Sequence, residues 1–173
     1  EAVPRTSGRV HVRLEAVADA MTATPLPPSV AASLTPAGRG ALAVIAFAGS
    51  AAQLDAAGLF QSRRELDVAA LPVGEPVYGL WGNQARPIPR EDVVLIRRDD
   101  LRLEIHCHGG TAAVERVLSD LVASGAQRLT AYEWTAAMEG RLAAEIESAL
   151  AASTTWKTAR LVLAQSHAPG GLV

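Results

Sequence analysis

One short segment of the sequence carries three side chains that could bind a ligand or move a proton, namely Glu104, His106 and His108. They alternate with apolar residues, which is typical of a β-strand with one polar and one apolar face. The apolar positions are Leu101, Leu103, Ile105 and Cys107. Gly109 and Gly110 then allow the backbone to turn sharply into an amphipathic segment, where free amides at a helix start would suit an anion or a carboxylate. The segment is therefore a candidate ligand-binding site.

Two interpretations of this polar face are open. A carboxylate beside two imidazoles can accept paired hydrogen bonds from a ligand that carries ring N–H groups. The same residues could also form a solvated strand face with incidental charge. A zinc site is not favoured, because Cys107 is expected to point away from the two histidines and the sequence offers no further ligand at a suitable spacing.

Other motifs give no sign of familiar catalytic machinery. Gly38-Arg39-Gly40 is better explained as a tight turn than as a phosphate loop, since Gly-x-x-x-x-Gly-Lys-Ser/Thr occurs nowhere in the chain. Gly-x-Ser-x-Gly is absent as well. The tryptophans and tyrosines are too scattered for a base-stacking platform. The chain therefore carries no GTP site of its own.

The composition is that of an ordinary globular domain. The chain has 173 residues, is 49% hydrophobic, and has a net charge of −2 from 16 basic and 18 acidic residues. This balance excludes nucleic-acid binding by a basic field alone. A single cysteine excludes an intrachain disulfide and favours a cytoplasmic location. No apolar run reaches the roughly 18 residues that cross a bilayer, so no membrane partner is expected, and Ala41–Ala48 is better explained as a buried strand than as a secretory signal.

The hydrophobic periodicity predicts the elements that would position the polar residues. Strands are predicted at Val30–Thr35, Leu42–Phe47, Val77–Trp81, Asp92–Arg98, Leu101–His108 and Gln127–Thr130. Helices are predicted at Ser50–Phe60, at Thr111–Ala123 and within Ala144–Ser166. Asp99 and Asp100 are predicted to join two strands in a tight hairpin. This order predicts an α+β domain with a mixed β-sheet, helices on one face, and a C-terminal helical segment.

Four motifs occur in the order found in one known family. They are Thr35-Pro36-Ala37-Gly38-Arg39-Gly40, Glu104-Ile105-His106-Cys107-His108-Gly109-Gly110, Glu133-Trp134-Thr135 and Gly140-Arg141-Leu142. An apolar strand follows the first motif and an amphipathic helix follows the second. On these motifs, Val30 to Leu172 resembles the N-terminal domain of the MnmE/TrmE tRNA-modification GTPases.

The resemblance implies a fold similar to the folate-binding domains of one-carbon transfer proteins, a homodimer, and a 5-formyltetrahydrofolate site near the dimer interface. In that family a helical domain with an inserted GTPase domain follows, and the whole protein acts with a flavoprotein partner on C5 of the wobble uridine in tRNA. For this chain it implies a domain over residues 30–143, the start of a helical domain over residues 144–173, and contact with tRNA only through the full-length complex. Residues 1–29 are interpreted as an N-terminal lead, with disorder left open.

The resemblance also assigns residues to the cofactor. Glu104 matches the family's acidic folate contact, since a pterin's amino group and ring N–H suit a carboxylate, and Arg141 keeps a positive charge for the glutamate tail. The full cofactor-binding set is Glu104, Arg141, Arg39, Gly40, His106 and His108. Two departures stand out, because Ala46 replaces an arginine of the family and Ala136-Ala137 replaces a pair of arginines.

Two functions from different classes follow. The first is a folate-binding and dimerising module of a tRNA-modification GTPase, which Glu104 and Arg141 favour. The second is a degenerate interaction domain that keeps the fold for assembly and binds no folate, which Ala46 and Ala136-Ala137 favour. A free-standing folate-dependent one-carbon transferase would have Glu104, His106 and His108 as its general acid or base candidates.

Overall fold

The computed structural model describes residues 29–36, 38, 40–83 and 89–167. Its strands are β1 (Val30–Ser33), β2 (Leu42–Ala48), β3 (Phe60–Ser62), β4 (Pro76–Trp81), β5 (Glu91–Arg97), β6 (Arg102–His108) and β7 (Gln127–Arg128). Its helices are α1 (Ala51–Ala56), α2 (Thr111–Ala123), α3 (Ala131–Met138), α4 (Arg141–Ala151) and α5 (Trp156–His167), with a 3₁₀ turn at Val68–Ala70. Arg39 and the N-terminal lead up to residue 28 lie outside the described residues.

The seven strands form one mixed sheet in the order β3-β4-β5-β6-β2-β1-β7. Every strand pairing is antiparallel except β1 with β7, which is parallel. The predicted α+β class with a mixed sheet is therefore confirmed. The division of the chain at residues 29 and 143 stays a prediction.

The alternation along the central strands gives the sheet its buried face, which we call the core face. Its side chains are fully or nearly fully buried and pack against α2 in one cluster. They include Ile45, Phe47, Leu95, Leu103 and Ile105 from the sheet and Val117, Leu118 and Leu121 from α2. Apolar residues at three- and four-residue spacing put these α2 side chains on one stripe of the helix. This packing fixes which residues of β5 and β6 point to the other side.

The opposite side of the sheet is covered by α3 at β1 and β2. Trp134 packs there against Val30, Ala32 and Ala46 in a second, smaller cluster. The prediction of helices on one face is therefore wrong for α3, which the sequence reasoning did not identify as a helix. Its signal was a capping box: the Thr130 side chain accepts from the Glu133 amide, and the Glu133 carboxylate accepts from the Thr130 amide.

Beyond α3 the same side of the sheet stays partly exposed, and we call this region the open face. Its side chains come from β2, β4, β5 and β6 at every second position. They include Val44, Tyr78, Val94, Ile96, Glu104 and His106. No helix among the described residues is long and apolar enough to cross a membrane.

Several predicted boundaries shift in the structure. The helix α2 has the predicted bounds, and the helix predicted from Ala144 begins at Arg141. The predicted helix to Phe60 ends at Ala56, because Phe60 starts β3, a short strand that the sequence analysis missed. The hairpin turn is one residue longer than predicted, since the Arg98 amide donates to the Arg102 carbonyl at 2.8 Å and three residues lie between them. Leu101 therefore lies in the turn and is 64% exposed.

Candidate ligand-binding site

The β5–β6 hairpin positions the acidic residue of the candidate site. Glu104 pairs in register with Ile96 on one side and with Ala46 on the other. Asp99 holds the turn, because its carboxylate accepts from the amides of Leu101 and Arg102 at 2.9 and 2.8 Å. These contacts lower the pKa of Asp99. The turn therefore fixes the direction in which the residues on either side of it point.

Alternation along the end of β5 sends two successive arginines to opposite faces. Arg97 lies on the core-face side, where it donates to the carbonyls of Ala69 and Leu71 at 2.8 and 3.2 Å. Arg98 lies on the open face. Its guanidinium donates from Nε to Oε1 of Glu104 at 2.8 Å and from a terminal nitrogen to Oε2 at 2.7 Å. Glu104 thus accepts a planar fork of two hydrogen bonds.

The environment keeps this carboxylate ionised. The hydrogen bonds from Arg98 lower the pKa of Glu104 most strongly, and partial burial opposes them. A carboxyl whose pKa is lowered by folding contributes stability above its usual pKa, and this contribution is lost as the pH falls through the lowered value. Because the Arg98 side chain is 48% exposed, solvent screens the pair and the contribution is small. The arrangement suits Glu104 to accept hydrogen bonds rather than to act as a general acid at neutral pH.

The two histidines of the motif have different partners. His106 Nε2 lies 3.2 Å from Oε2 of Glu104, which requires the proton on that nitrogen. Its strand neighbours are Val44 and Val94, so it stands between apolar side chains of the open face. His108 is 65% exposed at the strand end and contacts Glu91 instead. The structure therefore joins His106 to Glu104 and leaves His108 apart.

Cys107 points to the core face, as the alternation predicts. It is buried among the core side chains, and this burial, followed by the charge of Glu91, raises the pKa of its thiol to about 11. A thiol with such a pKa stays protonated at neutral pH and is a poor nucleophile or metal ligand. Among the described residues, no group of three or more His, Cys, Asp or Glu side chains could hold a metal ion.

The remaining residues of the predicted set lie elsewhere or outside the described residues. Gly40 stands in the loop before β2, beside Gly109 at the far end of β6. Gly109 lies five positions beyond Glu104 along this strand, which is roughly 16 Å. Arg141 begins α4 and donates from Nε to Glu145 at 2.9 Å, and both side chains are exposed. No hydrogen bond or ion pair among the described residues connects Arg141 to Glu104.

Gly40 and Gly109 border a cleft of about 810 Å³ that the sequence analysis did not predict. The cleft lies between the β1–β2 loop, the start of α2, the β7–α3 connection and α4. Apolar side chains in its wall are Leu34, Val114, Leu129, Tyr132 and Ala144. A second fork-like ion pair stands in this wall, because Arg128 donates to the two oxygens of Glu115 at 2.6 and 2.7 Å. The cleft and the Glu104 site are separate, and elements distant in sequence form the cleft.

Arg98 is the residue of the Glu104 site that the sequence analysis missed. The predicted two-residue turn would pair Arg98 with Leu101 and put the two charged side chains on opposite faces. The three-residue turn pairs Arg98 with Arg102 instead, and this register places Arg98 diagonally beside Glu104. Ala46, which stands where the resemblance expects an arginine, is buried under Trp134 as the strand neighbour of Glu104. The positive charge beside this carboxylate therefore comes from the residue after β5 instead of from β2.

Comparison with known proteins agrees with the resemblance at the level of sequence. No protein-family model matches the chain. The tRNA modification GTPase MnmE of Geobacillus thermodenitrificans is 32% identical over 124 residues, which cover 66% of this chain and 27% of that protein. The MnmE of Geobacillus kaustophilus matches with the same identity and coverage. The chain thus spans about a quarter of the length of the relatives it matches, and it is similar over that part to tRNA modification GTPases.

Proposed function

We propose that the chain is a 5-formyltetrahydrofolate-binding and dimerisation module of a protein related to the tRNA-modification GTPases. Such a protein would modify C5 of the wobble uridine in tRNA. The similarity to the two MnmE proteins supports the relation to tRNA modification. The cofactor site is proposed at Glu104 on the open face. Contacts with tRNA and with a flavoprotein partner are proposed for the full-length complex alone.

The observation that carries this proposal is the fork of hydrogen bonds that Glu104 accepts. A guanidinium presents two N–H groups in one plane, and here it fills both carboxylate oxygens at 2.8 and 2.7 Å. The amino group and ring N–H of a pterin form an edge of the same kind, so the carboxylate is already oriented for such an edge. The neighbouring apolar side chains Val94 and Ile96 would pack against the ring.

Different residues of the chain would contact different parts of the cofactor. Glu104 would hold the pterin edge, and His106 would limit the carboxylate's rotation through Oε2. Arg141 would meet the charge of the glutamate tail. Its bond to Glu145 is an exposed i,i+4 pair that solvent screens, so an anionic ligand can replace it at little cost. When bound, the folate would supply a one-carbon unit.

Titration calorimetry of 5-formyltetrahydrofolate into the purified chain tests the proposed site. We expect micromolar or tighter binding that Glu104→Ala weakens about tenfold to a hundredfold, because hydrogen bonds to a charged group contribute about 1.5–3 kcal/mol. Glu115→Ala is the matched control, since Glu115 also accepts a two-bond fork from an arginine but belongs to α2, which packs on the core face. Unchanged affinity in the Glu104 variant would remove this residue from the site.

A second function is favoured by a specific observation. Both oxygens of Glu104 are taken by Arg98, and Ala46 supplies no charge of its own. The alternative function is therefore that of an assembly domain, which has the same fold but does not bind folate. A folded sample that gives no heat with 5-formyltetrahydrofolate at high protein concentration would favour this alternative over the first.

The homodimer is tested by sedimentation velocity over a range of protein concentrations. Partly exposed apolar side chains on the open face, including Val94, Ile96 and the 46% exposed Tyr78, support self-association. We expect the sedimentation coefficient to rise toward that of a dimer with concentration. A single monomeric species at every concentration would contradict the dimer and leave the folate proposal in place.

A further inference from the structure

Arg98 occupies the position on Glu104 that a two-donor ligand would need. A carboxylate accepts a planar fork along one edge, with one donor on each oxygen. Here Nε of Arg98 fills Oε1 and a terminal nitrogen fills Oε2, while His106 adds a third contact to Oε2. A ligand with a similar edge therefore competes with Arg98 for this side of the carboxylate, and the two cannot bind it at the same time.

The structure also leaves Arg98 free to move. Its side chain is 48% exposed, and its guanidinium is held by the two hydrogen bonds to Glu104. The two acidic residues of the adjoining turn are engaged elsewhere: Asp99 pairs with Arg102 at 2.6 Å and Asp100 pairs with Arg97 at 2.6 Å. A displaced Arg98 therefore meets no other carboxylate of the turn that is unengaged.

This arrangement selects among ligands by charge. A ligand that only offers two N–H donors replaces one fork by another and leaves the guanidinium without its partner. A ligand that also carries an anionic group gives the guanidinium a new partner, which adds the modest attraction of a partly exposed ion pair. The exchange thus favours ligands that combine a planar donor edge with an anion.

We propose that Arg98 is a specificity-determining residue of the Glu104 site, which it occupies until a ligand with both a planar two-donor edge and an anionic group displaces it. The donor edge takes the place of Arg98 on Glu104, and the anionic group then binds the released guanidinium. This inference rests on the proposed folate site, and it adds a rule for which pterin compounds the site accepts.

The test compares two ligands against Arg98→Ala. The probes are pterin, which lacks the glutamate tail, and 5-formyltetrahydrofolate, which carries two carboxylates. Removing Arg98 should strengthen pterin binding about threefold to fivefold, which is the worth of a partly exposed ion pair. The same variant should bind 5-formyltetrahydrofolate no better than the wild type does. The ratio of the affinity for 5-formyltetrahydrofolate to the affinity for pterin should therefore fall. Arg64→Ala, which removes the exposed pair with Glu75, is the matched control and should change neither affinity.

A measurement without ligand tests the contact itself. Carbon-detected NMR titration of the Glu104 carboxyl should give a pKa below the usual range in the wild type and a higher pKa in Arg98→Ala, because the main cause of the lowered pKa is removed. An unchanged pKa would mean that the pair does not form in solution, and it would overturn the proposal whatever the ligands do.

The outcomes separate this proposal from the folate proposal. If 5-formyltetrahydrofolate binds the wild type through Glu104 but Arg98→Ala shifts both ligands equally, Arg98 does not determine specificity while the folate site stands. If neither ligand binds the wild type but pterin binds Arg98→Ala, the result supports the proposal that Arg98 blocks Glu104. The same result contradicts the proposal that the natural chain binds folate. If neither ligand binds either protein, Arg98 is not what excludes them, and both proposals fail.

Discussion

Alanine in place of Trp134 is expected to lower the free energy of unfolding by about 3 kcal/mol or more. Trp134 is only 7% exposed and packs against Val30, Ala32 and Ala46, which are small or medium side chains that cannot collapse into the space it leaves. Since a domain of this size is stable by about 5–15 kcal/mol in total, this loss is a large part of the whole. Urea denaturation followed by circular dichroism measures it.

The matched control for this substitution is Trp156→Ala. Trp156 begins α5 and is 71% exposed, so the same change of side chain removes little buried area and should alter the unfolding free energy by about 0.5 kcal/mol or less. Equal losses in the two variants would mean that α3 does not pack on the sheet as described. A large loss for Trp134 alone would show that this tryptophan holds α3 over β1 and β2.

Serine in place of Gly109 is expected to destabilise the fold by about 1–3 kcal/mol. A Cβ atom at this position would lie 2.3 Å from the carbonyl oxygen of Gly40 and 2.6 Å from its carbon. Both atoms belong to the backbone, so a side-chain rotation cannot relieve the contact. The Gly109 amide also donates to the Ala41 carbonyl at 3.1 Å, which fixes the two segments against each other. A thermal unfolding scan with calorimetry measures the loss.

Gly110→Ser is the matched control at the next position. A Cβ atom on Gly110 would meet nothing within 4 Å, and Gly110 is the N-cap residue of α2 with an extended backbone. Serine is favoured at helix N-caps, so this variant should be neutral or slightly more stable. If Gly109→Ser were as stable as Gly110→Ser, the β1–β2 loop would not lie against the end of β6.

The helices and strands that were predicted most accurately are those with a clear pattern of apolar residues. The helix α2 and the strands β2 and β6 were placed within one residue at each end. Helical spacing defines α2, alternation defines β6, and an apolar run bracketed by glycine- and proline-containing turns defines β2. The helix α3 was missed because its burial rests mainly on Trp134, with Ala136 and Ala137 adding no strong pattern. The strand β7 has two residues, and its parallel pairing with β1 depends on contacts far away in sequence.

The candidate site was predictable in part for similar reasons. Alternation alone puts Glu104 and His106 on one face and Cys107 on the other. The partner of Glu104 was not predictable in the same way, because the Arg98 contact depends on a hairpin turn of three residues that Asp99 stabilises through backbone amides. Arg141 and Gly40 were assigned by resemblance, and contacts of the fold hold them on α4 and in the β1–β2 loop.

The strands at the two ends of the sheet limit how copies of this domain could associate. A sheet commonly recruits another chain by β-augmentation, in which unpaired amides and carbonyls of a border strand continue the ladder. Here the border strands are β3 with three residues and β7 with two, so each presents only a very short ladder. Stable self-association through strand addition is therefore disfavoured at both borders, and copies of the domain would have to meet through their surfaces, side chain against side chain.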